Sequence, residues 1–374
     1  MQAFLLLPSS PPALNSLTQI LPLPLLPILN RPLIEYFILN ANKININKIH
    51  LISAESDKKL QNHFLQLQEQ NDLKNDVVFI SGTSIPGALK DQVVEIRDTF
   101  WLCNTRYFHI FDWSVLLEKH KASKKKISVV VTKFNAVKNL FAAKFDVKTS
   151  CLTEILKLED SSKTKKVNLI TELFICEPEV IHYLDIKDIA NFCPDLLRVL
   201  LKKNNPVNVI SAEGIFEPLS NLHYYWALNL NMLKNQQAAS WIRGREIAKG
   251  IFVGSKIKIK TNLNENIQSP ILIGEDCKVS KEVFLRGPAV IGNNVKISPR
   301  AIVDRSVVLD NTYIGQSVEL QNSIVFQNWY ISIKNLFGVY VEEEFILGKN
   351  KKFNLKQQVK RGISGALKKF LRKK

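Results

Sequence analysis

Apolar and polar positions along the chain change rhythm once, near residue 250. Before that point, short apolar runs alternate with segments whose apolar residues recur every three to four positions. FLLL (4–7), KIHLIS (48–53), VVFIS (77–81), TFWLCN (99–104) and KISVVVTKF (126–134) each read as a buried strand. RPLIEYFILNANK (31–43) has a proline near its start and sets Leu33, Ile34, Phe37, Ile38 and Ala41 on one helical face, and SVLLEKH (114–120) reads as another helix. This alternation predicts an α/β domain, Rossmann-like, with a mixed and mostly parallel sheet.

Beyond it, apolar residues fall six apart: Ile267, Ile273, Val279, Leu285, Ile291, Ile297, Val303 and Leu309. After one step of five the series resumes at Ile314, Leu320 and Phe326, and a second series four residues later runs through Cys277, Val283, Ala289, Val295, Ala301, Val307 and Tyr313. A period of six is neither that of a helix nor that of one long strand. It is the side of a triangular coil: both series face inward, and the chain turns a corner between hexads. Gly274, Gly292 and Gly315 each follow an inward aliphatic. Three sides make a coil of about eighteen residues, and stacked coils bury a continuous core. Residues 251–332 are therefore expected to form a left-handed parallel β-helix of hexapeptide repeats. A sandwich of short strands would instead show alternation broken by irregular turns.

The last segment, FNLKQQVKRGISGALKKFLRKK, sets Val359, Ile363, Ala366, Leu367, Phe370 and Leu371 on one helical face. Lys356, Lys360, Arg361, Lys368, Lys369 and Arg372 lie off that stripe. A basic amphipathic helix of this kind lies on an anionic membrane surface or packs its stripe on protein. The expected order is thus an α/β domain at 1–235, a linker at 236–250, the β-helix at 251–332, and a C-terminal extension with the basic helix at 333–374.

Charge sharpens this division. The net charge is +17, yet residues 349–374 hold nine Lys, two Arg and no acid, which leaves +6 for the other 348 residues. The basic character belongs to the tail, so the globular part does not read as a nucleic-acid binder. No apolar run reaches the ~18 residues that span a bilayer, and MQAFLLLPSS reads as a first strand rather than a signal peptide. Five scattered cysteines without a CxxC pair suit a reducing cytosol. The expected location is cytoplasmic, with the tail at the inner membrane surface. No histidine lies within 251–332, so a β-helix acyltransferase would lack its base, and HExxH, GxSxG, Walker and GxGxxG motifs are absent.

LPLPLLPILNRPLIEY (21–36) resembles the sugar-phosphate nucleotidyltransferases, mannose-1-phosphate guanylyltransferases in particular. NTRYFHIFDWSVLLEKH (104–120), LFICEPEVIHYL (173–184) and GIFEPLSNLHYYWALNLNML (214–233) extend the likeness over roughly residues 1–332. It implies the architecture read above, an α/β nucleotidyltransferase domain followed by a left-handed β-helix. It also implies a reaction in which a sugar phosphate attacks a nucleoside triphosphate and pyrophosphate leaves, with Mg²⁺ held by carboxylates.

The residues that the resemblance assigns to that chemistry are changed. The glycine-rich phosphate loop falls on Ser9, Ser10, Pro11 and Pro12, where prolines donate no N–H and cannot adopt positive φ. The loop arginine falls on Ala13 and the PKPLLP lysine on Leu23. The first metal aspartate falls on Arg106, a cation where a dication would bind, and the second at or near Pro218. Asp112 and Glu217 are the nearby carboxylates that could substitute. The sugar-pocket Asn and Gly fall on Ile170 and Glu172. Gly82 and Thr83, within SGTSIPGALK, and Asn104 are candidate residual contacts, as is Arg106 itself, which either grips phosphate without metal or forms a salt bridge to an acid such as Asp112.

The expected function is that of a non-catalytic nucleotidyltransferase-like scaffold, regulatory subunit or membrane-surface adaptor, with no cofactor. Its expected partners are its own copies or an active nucleotidyltransferase. One alternative is an active sugar-1-phosphate nucleotidyltransferase using Mg²⁺ to make a nucleotide-sugar for surface polysaccharide. The other is a membrane- or nucleic-acid-binding module acting through the tail.

Overall fold

A computed structural model describes residues 1–8, 10–53, 58–69, 74–81, 96–159, 162–183 and 192–350. Its contacts divide the chain into two units. The first comprises Met1–Ser10, Pro22–Leu25 and Leu33–Leu219. The second comprises Pro11–Leu21, Leu26–Pro32 and the chain from Ser220.

The first unit is built on a nine-stranded sheet. Its strands are β1 (Gln2–Leu7), β2 (Lys48–Ser53), β3 (Asp76–Ser81), β4 (Phe100–Asn104), β6 (Ile127–Ala136), β7 (Phe141–Asp146), β8 (Cys151–Lys157), β9 (Ser162–Cys176) and β10 (Val207–Ser211). The order is β3-β2-β1-β4-β9-β6-β10-β8-β7. Two further strands, β5 (Tyr107–Ile110) and β11 (Ile215–Pro218), pair antiparallel beside it. Every apolar run read as a strand forms one. The first four strands of the order are parallel, as is β6 with β10. The expectation of a mostly parallel sheet fails beyond them, because β9 runs antiparallel to both β4 and β6 and β8 runs antiparallel to β7 and β10. Helices α1 (Leu33–Lys43), α2 (Lys58–Glu69), α3 (Trp113–Ser123) and α4 (Phe192–Lys202) complete the unit. Leu196, Leu197 and Leu200 of α4 join Phe4, Phe100 and Phe174 of the sheet in one core.

Helix α1 begins at Leu33, two residues later than the sequence pattern suggests. Arg31–Pro32 instead pairs with Pro27–Ile28 in a hairpin whose two central residues, Leu29 and Asn30, have φ of 47° and 61°. Both positive angles define the tight primed turn that matches strand twist. Leucine is a poor residue there. It is held by complete burial and by its N–H, which donates to Asn229 Oδ1 at 2.9 Å. The stretch LPILNRP (26–32) is thus a packing device of the second unit.

That unit contains three parallel ladders, the arrangement a three-sided β-helix requires. One stacks Ile251–Val253, Ile271–Ile273, Ala289–Ile291, Val307–Val308 and Ser323–Phe326. The second stacks Lys258–Ile259, Lys278–Val279, Lys296–Ile297 and Thr312–Ile314, and the third Ile267–Gln268, Phe284–Arg286, Ile302–Asp304 and Glu319–Gln321. The inward positions follow the six-residue series as far as Val303. There the pattern needs correction. Val308 and Val325 face the interior, not Leu309 and Phe326, and Ile291 pairs with Val308. The short steps fall at one corner, where Ser306 and Ser323 are buried and their hydroxyls lie 3.0 Å apart. Ser306 and Thr312 therefore occupy the inward places expected for Val307 and Tyr313. Val307 instead belongs to an outward row with Leu272, Val290 and Ile324, and helix α5 (Leu222–Lys234) packs against the strands that carry Val290 and Val307.

Antiparallel strands close the ladders. Arg245–Ala248 covers one end, and Trp329–Ser332 with Phe337–Tyr340 covers the other. Leu347–Lys349 ends the second ladder. The stretch expected as a linker carries a 3-10 turn, Gln236–Trp241, and the strand Arg245–Ala248.

Candidate functional site

The resemblance assigns metal-binding roles to positions 106 and 218, and the first unit brings these two together. Arg106 follows β4, and Pro218 ends β11 opposite Tyr107 of β5. The N–H of Leu219 donates to the Arg106 carbonyl at 3.2 Å. A third position joins them through β9. That strand carries two extra residues between Ile170 and Phe174 relative to β6, and Glu172 sits in this bulge with φ of +55°. The backbone keeps the left-handed conformation that suits glycine, while the residue is glutamate.

The glutamate side chain is 4% exposed and turns into the unit. Asn104 Nδ2 donates to Glu172 Oε2 at 2.6 Å, and the Cys193 thiol and Tyr107 hydroxyl lie near enough to favour the charged form of this carboxyl. Arg106 donates from Nη2 to Tyr107 Oη at 3.1 Å and attracts Glu172 electrostatically. Its backbone N–H reaches Asn104 Oδ1 at 3.1 Å. Burial pushes the Glu172 carboxyl up, and Arg106 with these three groups partly offsets that push. Burial raises the Tyr107 hydroxyl and the Cys103 and Cys193 thiols, with Glu172 adding to each. The result is a buried polar network in which Arg106 binds Tyr107, Asn104 binds Glu172, and the guanidinium favours the charged form of the carboxyl.

The nearby carboxylates do other work. Asp112 caps α3, accepting from Ser114 N at 2.9 Å, so it is not the partner of Arg106. The expected Arg106–Asp112 bridge is replaced by Tyr107 and Glu172. Glu217 is pushed up to about 8 by burial, which leaves it mostly protonated near neutrality. A magnesium ion takes oxygen ligands in octahedral array, the protein usually supplying one or two ionised carboxylates beside water and phosphate oxygens. A guanidinium, a proline and a protonated acid do not fit it. Among the described residues no group of three or more His, Cys, Asp or Glu is placed to hold a metal.

Of the other sequence candidates, Leu23 is buried in a 3-10 turn, and Ile170 is a core residue 3% exposed. Ser10 belongs to the first unit, whereas Pro11, Pro12 and Ala13 belong to the second, with Pro12–Leu14 forming a 3-10 turn. Ser9, Gly82, Thr83, and Lys356, Lys360, Arg361, Lys368, Lys369, Phe370 and Arg372 of the tail lie outside the described residues. Sequence reasoning missed Tyr107 and Cys193. Tyr107 adjoins Arg106 and could have been suspected, but nothing local points from Cys193 to Glu172.

Comparison with known proteins supports the resemblance. Residues 243–369 match the family described as GMPPB C-terminal domain. A curated relative, UTP–glucose-1-phosphate uridylyltransferase of Synechocystis, is 22% identical over 347 residues, covering 88% of each chain. Among solved structures, a candidate glucose-1-phosphate thymidylyltransferase of Bacillus anthracis aligns with a TM-score of 0.51 and 16% identity. It covers 66% of this chain and 97% of its own, and shows a common fold. The chain is a relative of the sugar-phosphate nucleotidyltransferases.

Proposed function

We propose that this protein is a nucleotidyltransferase-like scaffold or regulatory subunit that has lost nucleotidyl transfer. The observation that carries this reading is the Glu172 network. On the correspondence that the resemblance assigns, a carboxyl group fills the sugar pocket and a guanidinium stands at the first metal position. An incoming sugar phosphate would meet the Glu172 side chain and its partners where the pocket should be open, and a metal-bound triphosphate would meet a guanidinium where a metal ligand is needed. Such a protein would act through its surfaces, pairing with copies of itself or with an active nucleotidyltransferase.

The curated relative favours the second reading, an active sugar-1-phosphate nucleotidyltransferase, because the similarity spans nearly the whole of both chains. Pyrophosphate release distinguishes the two. The full chain is incubated with each nucleoside triphosphate, Mg²⁺ and a panel of sugar 1-phosphates. The proposed reading expects release no faster than in an enzyme-free control. Turnover that depends on sugar phosphate overturns it.

A further inference from the structure

The second unit has a cavity unrelated to the Glu172 network. It measures about 500 Å³ and is lined by Lys278, Lys296, Tyr313, Glu344, Phe345, Lys349 and Asn350. The volume falls within the range of small-molecule sites. Lys278, Lys296 and Tyr313 occupy consecutive rungs of the second ladder in direct register. Like charges on adjacent rungs repel each other, so this row is a cost to the fold. None of Lys278, Lys296 and Lys349 forms an ion pair with a carboxylate among the described residues. Lys296 Nζ lies 5.1 Å from the Tyr313 ring centre, and the Tyr313 hydroxyl accepts from Ser298 Oγ at 3.0 Å, which fixes that ring.

Above the row, Phe345 is 72% exposed. Its segment is not loose: its carbonyl sits where a Cβ at Gly315 would be, and the carbonyl of Ile346 accepts from Gly315 N at 2.8 Å. The fold holds an exposed aromatic ring beside three ammonium groups. Three lysines against one glutamate make the lining cationic, and the ring offers a stacking face.

From this juxtaposition we propose that the cavity binds a nucleoside phosphate. The phosphates lie against Lys278, Lys296 and Lys349, and the base stacks on Phe345. The assignment does not depend on whether the first unit is catalytic. Asn350 is excluded from the recognition set because its amide already donates to the Asn294 carbonyl at 3.0 Å.

The test titrates the full chain with UTP, inorganic pyrophosphate and uridine without Mg²⁺, read by calorimetry. Wild type, a Lys278→Gln/Lys296→Gln double variant, Phe345→Ala and Arg106→Ala are compared. All but Arg106 are outward-facing, and unchanged thermal melting confirms their folds. The expected result is saturable, salt-sensitive UTP binding, weakened about tenfold or more in the lysine variant. Phe345→Ala weakens UTP but not pyrophosphate, whereas loss of UTP binding in a folded Arg106→Ala with both cavity variants unaffected places the nucleotide in the first unit and overturns the proposal. Absence of saturable UTP binding to wild type overturns the proposal, as does equal UTP affinity in wild type and either cavity variant.

Discussion

Glu172 is unfavourable for its position on two counts. Its φ of +55° disfavours a side chain, and its burial disfavours a carboxylate. Its retention is explained by Arg106, by the Asn104 donor and by the nearby Cys193 and Tyr107. Removing one member of such a buried pair strands the other. Glu172→Ala and Arg106→Ala are each expected to destabilise the protein by roughly 3 kcal/mol. The double variant should lose clearly less than the sum, and urea unfolding of the four species measures this. Additive losses would show that the two charges are not coupled. His109 offers a second residue-scale test. It is fully buried, its Nδ1–H donates to the Tyr107 carbonyl at 3.1 Å, and burial holds its pKa down at about 4. The unfolded chain therefore takes up the proton first. Stability contributed by neutral His109 is complete above about pH 6.5 and falls as pH drops toward 4, by about 3 kcal/mol at most. His109→Phe should flatten unfolding free energy across that window. Glu217 acts with the opposite sign: its raised pKa weakens the fold as pH rises toward 8.

At the scale of elements, the β-helix depends on close backbone approach at its corners. A Cβ on Gly292 would lie 2.7 Å from the Asp310 nitrogen, and backbone cannot move aside as a flexible side chain can. Gly292→Ala should cost about 2 kcal/mol in guanidinium unfolding. Gly338→Ala is the control, since its nearest contact would be an ordinary 3.4 Å to Ile331. It should change stability by less than about 0.5 kcal/mol. Comparable losses at both sites would remove the argument from corner packing. At the same corner Asp310 stacks one coil beyond Asn293. Its carboxylate accepts from the Asn293 N–H at 2.7 Å and so ties two coils together.

For the whole molecule, charge sets the expectation. Eleven of the seventeen net positive charges lie in residues 349–374. No helix among the described residues is long and apolar enough to cross a membrane. If the tail serves as a surface anchor, the full chain should sediment with vesicles containing anionic lipid. It should lose that binding on truncation after Asn350 and on raising salt. Equal sedimentation of full and truncated chains would exclude the tail as anchor.

The local pattern of side chains by itself determined five strands and two helices of the first half and the six-residue period, because both depend on which way neighbouring residues point. It also marked Arg106, Glu172 and Pro218 as departures from the chemistry that the resemblance implied. It could not choose between Val308 and Leu309, since two adjacent aliphatics satisfy the period equally and only the stacked coil fixes the register. Nor could it find the partners of Glu172. Those lie on β4, β5 and α4, far apart in sequence, and the cost of a buried charge is set by whichever groups the fold brings beside it.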